Sequence, residues 1–345
     1  MSLDEFIHAL PKVELHVHLE GSIRPSTLLT LAARNGVELP VHNLEEVRRF
    51  YCFVDFDHFL KVYLTISNCL RTAADYELIA YEFGADMARQ NIRYAEVTFT
   101  PDTNVANSGL SFGDILAGLN AGRARAQADF GVEFKWVLDI VRNVPESSQR
   151  VVEWAIGARE RGVVALGLGG TEQGFPPDLF SDAFARARQA GLHSVPHAGE
   201  TVGPESVWAA LHLLGAERIG HGVRCTEDPA LVDHLRQQQI PLEVCPTSNL
   251  CLGVYPSYEE HPLWRLWEEG LYVTVNSDDP PMFNTDLVQE YQHLAHDMGF
   301  TAAELEALSL NALRASFLPP ERKAALEAEL RSEFQRLRKR YLPPG

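Results

Sequence analysis

The chain has 345 residues, 46% of them hydrophobic, and a formal net charge of −17 at pH 7. This length is usual for one α/β barrel, and the hydrophobic fraction is that of a globular protein with a large core. The negative charge argues against nucleic acids and anionic membranes as partners, because both would repel the protein.

Short apolar runs that are typical of β-strands alternate with longer helical patterns along the chain. The predicted strands cover residues 13–18, 93–99, 134–140, 163–168, 193–197, 218–221, 240–245 and 271–275. Helical patterns between them cover residues 73–90, 112–130, 147–161, 180–190, 205–214 and 230–238. Strands that alternate with helices indicate parallel βαβ units with right-handed crossovers. Eight such units predict a (β/α)8 barrel that forms a single domain over residues 1–345, with a doubly wound open sheet as the competing arrangement.

The segment between the first two predicted strands is unusually long. Its part at about residues 40–72 is rich in aromatic residues, and its run Phe-Asp-His-Phe-Leu contains Phe56, Phe59 and the aliphatic Leu60. Long segments of this kind are often lids over an active site, so we predict a lid here. The aromatic residues suit either a flat apolar ligand or packing on the barrel rim. Extra helices are expected at the C-terminus, and the last carries the basic run 336–340.

Polar residues cluster at the C-terminal ends of the predicted strands, which in a barrel meet at one mouth where active sites are built. The first strand ends in His16 and His18, whose side chains share one face because alternate residues of a strand point the same way. The later clusters are 169–172, 197–200, 221–222, 246–249 and 276–280. In an open sheet the first and eighth strands would not generally meet, so these positions favour the barrel.

His197 and Asp278 are the natural partners of His16 and His18. Three imidazoles and one carboxylate suit zinc or a similar transition metal. Glu200 follows His197 by three residues and can face the same cavity without binding the metal. A carboxylic acid in such a place can transfer protons.

Several of these residues also have a purely structural interpretation. A histidine in an apolar strand is often a hydrogen-bonded core residue, which applies to the first-strand pair and to His221. Glu200 could simply begin a helix, and the run Asp278-Asp279-Pro280 could be a turn or a helix cap. The pattern Gly167-Leu168-Gly169 resembles the start of a dinucleotide-binding loop, but Glu172 occupies the third glycine position, so we discard that interpretation.

Five motifs in this order resemble the adenosine deaminase family of the amidohydrolase superfamily. They are ELHVHLEG, HAGE, GHG, EVCPTSN and NSDDP, and the similarity spans about residues 10–285. The resemblance implies a (β/α)8 barrel that hydrolyses the 6-amino group of a purine, with one Zn²⁺ per chain, although iron or manganese could use the same ligands. The fourth predicted strand contains no lysine that could bridge two metals, which favours a single-metal site.

The resemblance also assigns roles to individual residues. Those at the family's metal-ligand positions are His16, His18, His197 and Asp278, the last also counted as catalytic. Glu200 matches the residue that protonates purine N1, and His221 matches the residue beside the attacking water. Asp279 matches the residue that contacts N7, and the backbone N–H of Gly170 matches the contact to N3. Residues that resemble hydrophobic lid positions are Phe56, Phe59 and Leu60.

Glu20 departs from typical adenosine deaminases, which have an aspartate that contacts the ribose 5′-hydroxyl. Its additional methylene would narrow this end of the pocket, and we count Glu20 among the candidate substrate-binding residues. Members with glutamate here include adenine deaminases and 6-amino-6-deoxyfutalosine deaminases of menaquinone biosynthesis. The continuation after HAGE, with Thr201, Pro204 and Trp208, looks more like the second group. We therefore rank aminodeoxyfutalosine first, adenosine second and adenine third. The first substrate carries a carboxylate, for which Arg24 and Arg71 are candidate partners.

Two other classes of function remain open: a barrel metallo-phosphoesterase and a non-catalytic purine-binding protein. The five cysteines are scattered and lack CxxC spacing, which is typical of a reducing compartment. The N-terminus has no apolar signal segment, and no apolar window is long enough for a membrane helix. We therefore expect a cytoplasmic enzyme that acts on a small-molecule nucleoside, with no prediction for its oligomeric state.

Overall fold

Eight parallel strands follow one another around a barrel in chain order in the computed structural model, which describes residues 2–53 and 55–342. Residue 54, inside the predicted lid segment, and residues 1 and 343–345 of the predicted domain lie outside the described residues. The strands are β1 (Lys12–His18), β2 (Ile92–Phe99), β3 (Glu133–Val141), β4 (Val163–Gly169), β5 (His193–Ala198), β6 (Ile219–His221), β7 (Leu242–Val244) and β8 (Val273–Val275).

Contacts between β1 and the residues just after β8 close the barrel. Val17 forms a parallel bridge with Asp278. The backbone N–H of His18 donates to the carbonyl of Asp278 at 2.8 Å, and that of Asp278 donates to the carbonyl of His16 at 3.1 Å. The predicted (β/α)8 barrel is therefore confirmed, and the open sheet is excluded, because an open sheet would leave its first and last strands apart.

Helices surround the barrel and connect its strands. They are α1 (Leu3–Ala9), α2 (Pro25–Asn35), α3 (Leu44–Phe50), α4 (Phe56–Ser67), α5 (Ala73–Arg89), α6 (Pro101–Ser108), α7 (Phe112–Phe130), α8 (Ser148–Gly157), α9 (Ser181–Gln189), α10 (Pro204–Ala209), α11 (Pro229–Gln238), α12 (Pro246–Cys251), α13 (Leu263–Glu268), α14 (Leu287–His296), α15 (Ala302–Ala315) and α16 (Pro320–Tyr341). Short 3-10 segments cover Pro145–Ser147, Arg159–Arg161, Pro177–Phe180 and Val223–Glu227, and a π-helical turn covers Ala210–Leu214.

Local signals account for many of these boundaries. Helix α7 begins after Ser111, whose side chain accepts a hydrogen bond from the N–H of Asp114, and it ends at Gly131, which has a left-handed φ of 70°. Strand β1 is buried at all seven positions, as expected for a parallel strand covered on both faces. Such local chemistry explains why the sequence already indicated most of the elements.

The end of the barrel opposite the polar strand ends is plugged by Phe317, which lies between α15 and α16. Its ring stacks on that of His193 with 3.7 Å between the ring centres, and the guanidinium carbon of Arg218 lies 3.9 Å from its centre. Phe317 and the C-terminal helices thus cover this end of the barrel, which we call its floor. In the described part of the chain, no helix is long and apolar enough to cross a membrane.

Candidate active site

Four side chains from distant parts of the chain converge at the mouth of the barrel. The Nε2 atoms of His18 and His197 lie 3.3 Å apart. Oδ1 of Asp278 lies 3.4 Å from Nε2 of His16 and 3.3 Å from Nε2 of His18. The structure thus brings together all four residues that the sequence analysis selected as metal ligands.

The surroundings of this cluster favour a positive charge. Nε2 of His16 is buried and has no hydrogen-bond partner. Burial lowers the pKa of His16, but the nearby carboxylates of Asp278 and Glu243 outweigh that effect and raise the pKa well above its usual value. A divalent cation would supply the positive charge that these carboxylates stabilise, and three imidazoles with one carboxylate are a donor set that zinc accepts.

Glu200 lies on the turn after β5 with its carboxyl group aimed into the cavity. Its Oε1 is buried without a hydrogen-bond partner and lies 3.7 Å from Nε2 of His221. Burial, followed by the negative charges of Asp278 and Glu172, raises the pKa of Glu200 well above its usual value. The raised pKa favours the protonated carboxyl group, which can donate a proton.

His221 ends β6 in an unusual backbone conformation. Its φ is 61°, and Asp278 beyond β8 has a φ of 64°. Residues other than glycine rarely adopt this left-handed region, and functional sites are a common place for it. Burial lowers the pKa of His221 to about 4, so the ring is neutral at pH 7 and can accept a proton.

Asp279 and Gly21 are packed against each other. A Cβ atom on Gly21 would lie 1.7 Å from Oδ1 of Asp279, so only glycine leaves room for this carboxyl group. Oδ1 is buried without a hydrogen-bond partner. Burial and the charge of Asp278 outweigh the influence of His18 and raise the pKa of Asp279 well above its usual value. The protonated form is therefore favoured for this second acid of the cavity as well.

The cavity above these groups has a volume of about 280 Å³. This is close to the lower end of the roughly 300–1,000 Å³ of small-molecule sites. Gly170, Phe56, Phe59 and Leu60 all line it, as do Tyr63 and Leu64 of α4. The aromatic residues of α4 thus face the cavity, and Phe59 also stacks on Phe283 with 5.5 Å between ring centres. Movement of α4 as a lid stays a prediction.

Glu20 does not line this cavity in the structure. Its Oε1 accepts hydrogen bonds from the backbone N–H of Thr100 at 3.0 Å and from Nδ2 of Asn104 at 2.7 Å. The two arginines that the sequence analysis considered as partners of a substrate carboxylate also lie elsewhere. Arg24 is bound to Asp86, and Arg71 donates to Asn68 and to the carbonyl of Asn107.

Residues 11–333 match the family model described as adenosine deaminase. The chain belongs to the adenosine deaminase family. It is therefore an amidohydrolase-fold deaminase, as the sequence motifs indicated.

The relatives of this deaminase are named after different substrates. The chain is 44% identical to the aminodeoxyfutalosine deaminase of Streptomyces avermitilis, covering 95% of this chain and 92% of that protein. It is 40% identical to the adenine deaminase of Rhodospirillum rubrum, covering 94% of this chain and 97% of that protein. The crystal structure of the adenine deaminase from Arthrobacter aurescens has a TM-score of 0.90 at 33% identity, covering 94% of this chain and 99% of that one. The crystal structure of an amidohydrolase from Burkholderia ambifaria with bound Zn has a TM-score of 0.90 at 31% identity, covering 97% of this chain and 93% of that one.

Glu172 holds in place the turn that carries Glu200. Its role was not predicted from the sequence. Its Oε2 accepts from the backbone N–H of Gly199 at 3.0 Å, and its Oε1 accepts from those of Glu200 at 2.9 Å and Thr201 at 2.8 Å. Hydrogen bonds from Ser206 and other groups outweigh burial and lower the pKa of Glu172. Its position shortly after the fourth strand could have marked it in the sequence as a candidate. Its hydrogen-bond partners, however, lie nearly thirty residues away along the chain.

Glu243 on β7 was also missed, although it is the single charged residue of an apolar strand. Its Oε2 lies 2.9 Å from Nδ1 of His16, and its Oε1 accepts from Nε of Arg218 at 2.6 Å. Arg218 in turn donates to Glu96 at 2.6 Å. Carboxylates that hold the second nitrogen of a metal-binding histidine fix the orientation of its ring. Glu243 thus orients His16 and connects it to the barrel floor.

Proposed function

We propose that this protein removes the 6-amino group of a purine nucleoside by metal-dependent hydrolysis, giving the 6-oxo purine and ammonia. The convergence of His16, His18, His197 and Asp278 beside Glu200, whose raised pKa favours a protonated carboxyl group, carries the proposal. A nucleophile and a proton are the two requirements for attack at C6, and this arrangement can provide both within one cavity.

The residues that would hold the metal are His16, His18, His197 and Asp278. Zinc, when bound, supplies Lewis acidity that lowers the pKa of water to about 7. Two groups of described residues have ligand atoms close enough to hold a metal ion, and they share Asp278: one is His16, His197, His221 and Asp278, and the other is His18, Asp278 and Asp279. The bound zinc of the Burkholderia ambifaria relative supports the choice of metal.

The protein side chains supply the proton transfers. Glu200 donates its proton to N1 of the purine, which draws electrons from C6 and makes that carbon electrophilic. His221, neutral because its pKa is about 4, accepts a proton from the attacking water and can return it to the departing amine. Asp279, protonated because its pKa is raised, donates a hydrogen bond to N7. These groups act on three different atoms of the reacting edge.

Other residues of the cavity hold the substrate and keep water out. The backbone N–H of Gly170 faces N3, and a side chain there would clash because a Cβ atom would lie 2.7 Å from Oδ1 of Asn143. The apolar side chains Phe56, Phe59 and Leu60 cover the ring system. Exclusion of water strengthens the electrostatic interactions on which the proton transfers depend.

We rank a 5′-modified adenosine of the aminodeoxyfutalosine type first, adenosine second and adenine third. The 44% identity to aminodeoxyfutalosine deaminases supports this order, and the 40% identity to an adenine deaminase keeps adenine as a candidate. Glu20 does not contact the 5′ group in this proposal, because its carboxyl group accepts hydrogen bonds from Thr100 and Asn104.

The test is a comparison of kcat/KM for aminodeoxyfutalosine, adenosine and adenine, measured by ammonia release from the metal-loaded enzyme. We expect the highest value for aminodeoxyfutalosine. A clear preference for adenine would contradict a nucleoside substrate, and no ammonia from any of the three would contradict the proposed reaction.

A metallo-phosphoesterase is disfavoured by the composition of the cavity. The described residues that line it include no lysine and no arginine, whereas phosphate groups need cationic partners. Measurement of the metal content would separate the two functions, since more than one metal per chain would favour the phosphoesterase. A non-catalytic purine-binding protein would release no ammonia in the comparison above.

A further inference from the structure

Asp139 on β3 is a buried carboxyl group in the cavity that the proposed mechanism does not use. It is 3% exposed and lines the cavity together with His18, His197 and Glu200. Its Oδ1 is buried and has no hydrogen-bond partner. Burial of a polar group without a partner is costly, so such a group in a folded protein needs an explanation.

Strand β4 makes room for this carboxyl group. A Cβ atom on Gly167 would lie 1.9 Å from Oδ1 of Asp139, and one on Gly169 would lie 2.5 Å from its Oδ2. Glycine inside a strand weakens it and often marks the close approach of another group. The Gly-x-Gly pattern of this strand, which resembled a dinucleotide loop, thus accommodates the side chain of Asp139.

Asp139 is not part of the metal cluster. Among the described residues, the groups whose ligand atoms lie close enough to hold a metal ion do not include it. Arg142 is nearby in the chain, but its two terminal nitrogens donate to the carbonyls of Phe175 and His197. The charges of His18, His16 and Arg142 act on Asp139, but no described group donates a hydrogen bond to its Oδ1.

The position of the metal cluster determines which part of a substrate reaches Asp139. The metal cluster and the proposed proton donors lie at the ends of β1, β5, β6 and β8. In the proposed binding mode C6, N1 and N7 of the purine therefore face that side of the cavity. The opposite edge of the purine, with N9, then faces the sector of β2 to β4. Of the described residues that line this sector, Asp139 has the only carboxyl group; the others are Thr100, Thr103, Val141, Asn143, Val144, Gly169 and Gly170.

We propose that Asp139 is a specificity-determining residue that accepts a hydrogen bond from a sugar hydroxyl of the nucleoside. This inference rests on the proposed function. When N9 carries a sugar, the far edge of the purine has no N–H left, so the hydroxyl groups are the donors on that side. A carboxyl group has an acceptor oxygen in either protonation state.

The test combines variants of Asp139 with substrates that lack single hydroxyl groups. We would measure kcat/KM of the wild type, D139A and D139N for adenosine, its 2′-deoxy, 3′-deoxy and 5′-deoxy analogues, and 9-methyladenine. We expect D139A to lose about 10- to 100-fold on adenosine, the range for a hydrogen bond to a charged group. For 9-methyladenine and for one of the deoxy analogues, kcat/KM of D139A should differ from that of the wild type by less than about threefold, because these substrates lack the hydroxyl group that Asp139 would contact. D139N keeps a carbonyl acceptor and should lose less than D139A.

The controls separate this inference from the proposed function. D182A, at an exposed aspartate of α9, should behave as the wild type. All variants should have the same metal content and should unfold in one cooperative thermal transition. If the wild type deaminates nucleosides but the Asp139 variants are unchanged, or lose activity equally on every substrate, this inference alone is overturned. If the wild type deaminates adenine and no nucleoside, both proposals are overturned.

Discussion

Glu200 and Glu172 are carboxyl groups of the same type whose surroundings shift their pKa in opposite directions. Around Glu200, burial and the charges of Asp278 and Glu172 favour the protonated form. Around Glu172, hydrogen bonds from Ser206 and the backbone outweigh burial and favour the ionised form. Pairs of acids that are separated in this way commonly divide into a proton donor and a fixed negative charge. The proposed donor is Glu200.

The substitution Glu200→Gln tests this assignment. The amide keeps the shape of the side chain but cannot transfer a proton, so kcat should fall by about 10²- to 10⁴-fold. Metal content, measured by elemental analysis, should not change, because Glu200 is not one of the four proposed ligands. The exposed residue Glu205 on α10 offers a matched control, E205Q, which should keep wild-type activity. Activity of E200Q within a few-fold of the wild type would remove Glu200 from its role.

At the level of elements, buried acids also connect helices to the strand ends. Glu290 on α14 accepts a hydrogen bond from the hydroxyl of Thr285 at 2.6 Å and from the N–H of Thr247 at 3.2 Å, near the start of α12. Burial outweighs these hydrogen bonds and raises the pKa of Glu290 to about 7. The link between α14 and α12 therefore includes a carboxyl group that titrates near neutral pH.

This titration predicts a measurable pH dependence of stability. The folded state holds the proton of Glu290 more tightly than the unfolded state. Its contribution to the free energy of unfolding therefore decreases as the pH rises from 4.5, the usual pKa of a glutamate, to about 7, its pKa in the folded state. Relative to E290Q, the wild type should lose about 2–3 kcal/mol between pH 5 and 8, since one pKa unit corresponds to about 1.4 kcal/mol. Urea unfolding of both proteins across this range measures the difference. Parallel pH profiles would show that Glu290 does not titrate there.

At the scale of the whole molecule, the metal-ligand cluster connects parts of the chain that are far apart in sequence. His16 and His18 lie at the start of the chain, His197 near its middle and Asp278 towards its end. Closure of the barrel between β1 and the residues after β8 brings them together. A metal ion that binds all four would therefore hold the folded barrel and not the unfolded chain.

Metal removal should consequently lower the melting temperature and abolish deamination. A ligand that binds only the folded state, at 100 times its Kd, stabilises a protein by about 2.7 kcal/mol. Thermal unfolding and ammonia release should be measured before chelation, after chelation and after addition of one equivalent of zinc, which should restore both. The variant H16A/H18A should not respond to the chelator. An unchanged melting temperature and full activity after complete metal removal would contradict a metal-dependent enzyme.

The sequence by itself determined the alternation of strands and helices, the barrel and the four residues proposed as metal ligands. These conclusions depended on short-range patterns: apolar runs, the i, i+2 spacing of His16 and His18, and polar residues at strand ends. Such patterns act within a few residues, because the backbone period and the direction of the strands already decide which side chains share a face. Boundaries were less accurate for the short strands β7 and β8, where predicted runs of five or six residues became Leu242–Val244 and Val273–Val275.

Only the tertiary structure decided which partners the buried acids have. It directed Glu20 towards Thr100 and Asn104, placed Glu172 under the turn of Glu200, and left Asp139 unpaired in the cavity. In each case the partner, or its absence, depends on packing between elements that are distant along the chain. The pKa and the direction of a buried carboxyl group follow from those long-range contacts, because desolvation and nearby charges are properties of the folded interior.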